Sequence, residues 1–194
     1  MTGRPTRISD PERIRALAHP LRLELLDHLR DVGEATATEC AAHVGESVAS
    51  CSFHLRMLAK YGFLERAERR GKEKPWRVVE QGAHLDARPD PRVPGSMHAV
   101  QELAALTVTR EADRVARFLA RAVDEPQEWI EATTITTSAF WATAEELAEL
   151  GSQVQRLTDR FQGRRSDPTT RPVGARHVRL LATLNPDPAP RQEG

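Results

Sequence analysis

Two Cys-x-x-His units, Cys40 with His43 and Cys51 with His54, are the residues of this chain best suited to metal chemistry. Two thiolates and two imidazoles can close a tetrahedral zinc site when the segments that carry them touch. The spacing also admits a plainer use. Cys40 and Cys51 fall at the inward positions of two short helices, where small thiols act as apolar filler, and His54 falls on the outward side. The filler reading is preferred, and no metal or cofactor is expected. The sequence has no Gly-rich phosphate loop, G-x-S-x-G elbow or H-E-x-x-H, so it points to a binding protein rather than an enzyme. What remains is hydrogen bonding and charge. Ser47, Ser50, Ser52, Phe53, His54 and Arg56 share the outer side of one helix and are of types that contact base edges in a DNA major groove. Arg69, Arg70, Lys72 and Lys74 crowd a hairpin tip and suit phosphate oxygens.

The elements that must hold these residues are legible. Thr36 and Glu39 form a T-x-x-E capping box that opens a helix with Cys40, Ala41 and Val44 on its inner face. Gly45 supplies a left-handed turn at little steric cost. Ser47 then caps a second helix, whose apolar positions Cys51, Leu55 and Leu58 recur at spacings of four and three. The pair reads as a helix-turn-helix. Residues 63–68 and 75–79 read as two strands around the basic tip, a hairpin that would lie beside the second helix as a wing. From Ser47 to Arg77 eight Lys or Arg face three acids, in a chain whose net charge is +0. A local positive surplus on a neutral protein is what phosphate contact requires. Trp76, between strand and body, reads as a pin for the wing rather than a base-stacking residue.

The runs AHPLRLELLDHL and TATECAAHVGESVASCSFHLRMLAKYGFLERAERRGKEKPWRV resemble the winged-helix transcriptional regulators of the ArsR type over about residues 10–80. The resemblance rests on the Pro-Leu-Arg at 20–22, the Ser-x-His-Leu at 52–55 and the Gly-Phe-Leu at 62–64. It implies a dimeric DNA binder, often a repressor released by a ligand. Metal-sensing relatives carry thiols near the start of the first helix of the pair; here residues 33–39 hold none, which argues against a thiolate sensor.

The rest of the chain divides by composition. Residues 1–8 read as a loose arm and 9–85 as the DNA-binding domain. That domain opens with a helix started by Ser9-Asp10-Pro11-Glu12, a capping box with an early proline, and a second from Pro20, the latter burying Leu21, Leu25, Leu26 and Leu29 before Gly33 ends it. Residues 86–96, with three prolines, read as a linker. Residues 97–184 read as a dimerisation region with room for an effector. It comprises a long helix from Ser96 to Val123, a strand within 128–141, a seam from Leu147 to Phe161 and a last strand at 177–184, the two strands forming a small two-stranded element. Residues 185–194 read as a disordered tail. The expected fold is thus α+β, mainly α.

Aromatics make up only 5% of the chain, yet Phe118, Trp129, Phe140 and Trp141 gather after the linker. With the hydroxyls of Thr134 and Thr136 they are candidates for an apolar effector pocket. No run of 18 apolar residues occurs, so no membrane span is expected, and two cysteines outside any disulfide framework fit a reducing cytoplasm. The function expected is a sequence-specific transcription regulator, a repressor, acting on double-stranded DNA as a homodimer and released by a small organic effector. Two alternatives stay open: a winged helix that docks proteins, and a metal-responsive regulator with His and carboxylate ligands.

Overall fold

The computed structural model describes residues 6–69, 73–79, 85–161, 163–165 and 167–187. The chain runs β1 (Thr6–Ile8), α1 (Pro11–Leu17), α2 (Pro20–Val32), β2 (Glu34–Ala35), α3 (Ala37–Val44), α4 (Val48–Lys60), β3 (Leu64–Arg66), β4 (Trp76–Val78) and β5 (Leu85–Ala87). After these come α5 (Ser96–Leu119), a short 3₁₀ turn at Ala122–Asp124, α6 (Gln127–Ala132) and α7 (Ala144–Arg156). The fold is α+β, mainly α.

Local chemistry sets the first helices. Asp10 accepts a hydrogen bond from the Glu12 amide at 3.2 Å, with Pro11 at the first helical position. Pro20 opens α2 and Gly33, at φ 85°, closes it. Leu25, Leu26 and Leu29 of α2 are buried against Cys40 and Ala41 of α3 and Cys51, Leu55 and Leu58 of α4. Strand order β2-β4-β3 makes a small antiparallel sheet with Leu64 opposite Val78, Arg66 and Ala35 opposite Trp76, and Glu34 opposite Arg77. This sheet presents Trp76 and Val78 to the core and Arg77 to solvent, the period of two expected of a half-buried strand.

Several expectations need correction. Residues 6–8 are not a loose arm, because β1 pairs with β5 in parallel. The Pro-rich stretch after β5 is likewise tied down: Ser96 is fully buried, and its Oγ accepts from the Asp90 amide at 2.8 Å. The strand expected within 128–141 is replaced by α6 and an extended segment without pairing, and residues 177–184 are also unpaired. Thr and Ile favour strands only where a neighbouring strand takes their backbone bonds, and Thr133 instead donates to the Trp129 carbonyl at 2.7 Å. Helix α5 ends at Leu119, short of Val123, and α7 stops before Leu157, which is 62% exposed. Residues 188–194 of the expected tail lie outside the described residues.

The core belongs to the N-terminal part. Among the described residues none beyond Leu103 is buried. The expected effector pocket is therefore not formed in a single chain. Trp141 is 103% and Phe140 54% exposed, and Thr134 and Thr136, with hydroxyls 3.1 Å apart, are exposed as well.

Beyond the buried contact of Ala99 and Leu103, charge ties the C-terminal part to the domain. Asp27 of α2, largely shielded from solvent, faces Arg110 and Arg114 of α5, Arg165 and Arg179 from the following chain, and Arg30 of its own helix. Arg165 also reaches Asp31 at 2.7 Å.

Candidate nucleic-acid interface

Helices α3 and α4 and the turn between them are built by the residues expected to build them. The Thr36 hydroxyl accepts from the Glu39 amide at 3.2 Å while the Glu39 carboxylate accepts from the Thr36 amide at 2.7 Å, a complete capping box. Gly45 sits at φ 73°, a left-handed conformation that glycine adopts freely. The Ser47 hydroxyl accepts from the Ser50 amide at 3.1 Å and so starts α4.

Helix α4 hides Cys51, Leu55 and Leu58 completely and turns Ala49, Phe53, Arg56 and Lys60 outward, at spacings of four, three and four. Phe53, 53% exposed, has no core to explain it. Of the residues singled out in the sequence, Ser47, Phe53 and Arg56 are exposed. Ser50, Ser52 and His54 flank the stripe, half-buried. Ala49 and Lys60, not singled out in the sequence, share this outward stripe. Their signal was the helical period alone, since an alanine carries no chemistry that draws notice.

His54 turns inward because a partner is waiting. Its ring lies 4.4 Å from that of His19, the residue preceding α2, and Phe53 meets it edge-on at 5.2 Å. Burial, then the neighbouring charge of Arg22, holds His19 below its ordinary range. Burial, followed by His19 and Arg22, does the same for His54. A second pair, His28 of α2 on His43 of α3, stacks at 3.9 Å. The two Cys-x-x-His units therefore do not converge, since each imidazole goes to a different histidine. Burial pushes the Cys40 thiol up to about 12 and raises that of Cys51, so both stay protonated and behave as filler.

Beside α4 the wing is held by Trp76, 5% exposed, with the Arg66 guanidinium 3.5 Å above its ring. Arg77 is bound to Glu65 directly across the ladder at 2.7 Å. Those two cations are thus occupied within the wing. Lys74 is exposed and has no carboxylate partner among the described residues. Arg69 is exposed at the same edge. Arg70 and Lys72 lie outside the described residues. Glu73 accepts from the Thr38 hydroxyl at 3.1 Å, which joins the wing to the start of α3. The arrangement is a helix with an aromatic and two cations outward, flanked by a basic hairpin.

The helix-turn-helix domain family matches residues 17–67. Fourteen solved chains match the protein. One is the homodimeric winged helix-turn-helix DNA-binding domain of a possible ArsR-family transcriptional regulator from Mycobacterium bovis, at 23% identity over 51% of this chain and 76% of that one, with a TM-score of 0.33. The AntR antimony-specific transcriptional repressor is 26% identical over 53% of this chain and 78% of its own, with a TM-score of 0.34. A possible transcriptional regulator for arsenical resistance is 25% identical over 60% of this chain and 98% of its own, with a TM-score of 0.32. No curated protein matches. With the capped helix pair, the glycine turn and the three-stranded sheet in place, residues 17–67 match a helix-turn-helix domain, and the β3–β4 hairpin beside it completes a winged helix-turn-helix fold.

Proposed function

We propose that this chain is a sequence-specific transcription regulator that represses as a homodimer and is released by a small organic effector. The observation that carries the reading is the outward stripe of α4. Phe53 and Arg56 stand opposite a fully buried face, next to a hairpin with exposed cations. A firmly seated helix with that stripe outward can lie in the major groove. Arg56 would pair with a guanine edge, and Ala49 and Phe53 would meet thymine methyls. Ser47, Ser50 and Ser52 would bond base edges or phosphates near the helix start, with His54 bracing Phe53 from behind. Lys60, Arg69, Arg70, Lys72 and Lys74 would neutralise phosphates.

One winged helix makes a small interface with DNA, and a two-fold pair doubles it. Support for the pair comes from α5, where Met97, Val108, Val115 and Leu119 are exposed on one side. No membrane-crossing helix occurs among the described residues.

The test is selection from random double-stranded DNA followed by sequencing of the bound pool. An inverted repeat with half-sites about one helical turn apart, roughly 34 Å, is expected. Arg56→Ala should relax the preference at one position per half-site at a cost of about 1–3 kcal/mol. A pool that stays random would overturn the regulator reading in favour of a protein-docking winged helix.

A further inference from the structure

The C-terminal end of α5 carries more positive charge than its surroundings use. Arg114 and Arg117 lie three residues apart on one side of the helix, and Arg121 follows two residues past its end. Together with Phe118 and Glu125 they line an open cleft of about 270 Å³. Glu125 is already taken, since both its oxygens accept from Arg176, at 2.6 and 3.2 Å. That arginine is stacked 4.8 Å above the Trp129 ring. Arg114 is also engaged, with one nitrogen 2.8 Å from Glu111 and another 3.3 Å from Asp27. Neither Arg117 nor Arg121 makes a close ion pair among the described residues, although the charge of Arg121 adds to that of Arg176 in holding the Glu125 carboxyl below its usual range. A helix C-terminus presents about half a negative charge, too little to account for two guanidiniums without a close ion pair beside the half-buried ring of Phe118.

We infer that this cleft binds a small aromatic carboxylate, its acid group held by the Arg117 and Arg121 forks and its ring against Phe118. A guanidinium matches a carboxylate in a planar, two-bond geometry. The volume lies just under the usual range for drug-sized ligands, which fits a single ring. The inference rests on the effector reading above and moves the site away from Thr134, Thr136, Phe140 and Trp141, which stand in solvent. It also supplies a route to the DNA-binding helices. Arg114 lines the cleft and holds Asp27, which lies on α2, and α2 packs on α3 and α4. A bound anion that drew Arg114 toward itself would loosen that hold.

The test is isothermal titration calorimetry of the full chain with benzoate, with inorganic phosphate and with benzyl alcohol. Benzoate should saturate one site per chain. Phosphate should bind at least tenfold more weakly, and the uncharged alcohol should give no saturable heat. An Arg117→Gln/Arg121→Gln variant, checked for fold by circular dichroism, should lose benzoate affinity about tenfold per arginine. Absence of saturation by benzoate, equal binding of phosphate, or an unchanged double variant would each overturn the site. Selected operator DNA titrated into the same preparation keeps the two readings apart. Benzoate binding without DNA binding removes the regulator and leaves the site, whereas DNA binding without benzoate binding does the reverse.

Discussion

Asp27 shows how much one side chain can be asked to hold. Its carboxylate is 12% exposed, and Arg179 and Arg114 stand 2.9 and 3.3 Å from it, with Arg110 closer still. Burial alone would raise its pKa. The guanidiniums of Arg179 and Arg110 outweigh that and bring it from 3.8 to about 2. A carboxylate with a depressed pKa in the folded state adds stability above its unfolded value and loses it as pH falls through the folded one. The contribution, about 2 kcal/mol by the same linkage, should therefore be intact at neutral pH and disappear between about pH 4 and 2. Asp27→Asn leaves four or five arginines facing a neutral amide. It should cost about 3 kcal/mol at pH 7, since removing one partner strands the others. Urea unfolding at a series of pH values checks both statements, because the variant should lack the acid-sensitive portion. A variant with the same profile as the parent would mean that the arginines are solvated independently of Asp27.

At the scale of elements, the same contrast between local and distant causes decides what the sequence could reveal. The Thr36–Glu39 box, the Gly45 turn and the Ser47 cap involve groups three residues apart or fewer, and each appears where its pattern indicates. The wing was legible because Trp76 and the flanking apolar residues alternate about a basic turn. Strands β1, β2 and β5 were not, since two or three residues carry no period and acquire strand form only from partners far along the chain. The reverse error occurred after Pro126, where Thr-rich residues with strand propensity have no partner. Within α4 the choice of serines and His54 over Ala49 and Lys60 weighted chemistry above helical phase. The histidine pairs were invisible for the reason that hid β2: His19 and His54 belong to different elements. Those pairs carry a prediction. His19, His28 and His54 are all held below the ordinary imidazole value of 6.5, each by burial first. Their protonation favours the unfolded chain, so stability should be full above about pH 6.5 and fall as the solution is acidified below it. Thermal melts from pH 7.5 to 5 should show the decline, and a His19→Gln/His54→Gln variant should show less of it. A decline of equal size in the variant would assign the effect elsewhere.

For the whole molecule, the distribution of burial is the dominant fact. The core ends at Leu103, and the chain beyond it leaves Val108, Val115, Leu119, Ile135, Phe140, Trp141, Leu157 and Leu180 in water. Lone exposed hydrophobes are ordinary on a monomer, but a run of them over half a chain calls for a covering partner. On α5 the spacing is specific. Met97, Val108, Val115 and Leu119 are separated by eleven, seven and four residues, which at 3.6 per turn places them on one stripe. Ala99 and Leu103, fully or nearly fully buried, hold a different side of α5 against the domain. A helix fixed on one side and apolar on another is suited to an antiparallel or parallel pairing with its own copy, where a stable contact needs about 800 Å² from each partner. The proposed homodimer should then depend on this stripe. Val108→Asp/Val115→Asp places two charges where the second copy would sit and nothing of the protomer's own core is disturbed. Sedimentation at micromolar concentration should show the parent as a dimer and the variant as a monomer with unchanged helix content. Loss of the second half-site should weaken operator binding at least 100-fold, the lower end of what linking two modest sites contributes. A parent chain that sediments as a monomer at concentrations where it binds the inverted repeat would place dimer formation on the DNA itself. A variant that remains dimeric would move the interface off α5, to the exposed apolar residues that follow α6.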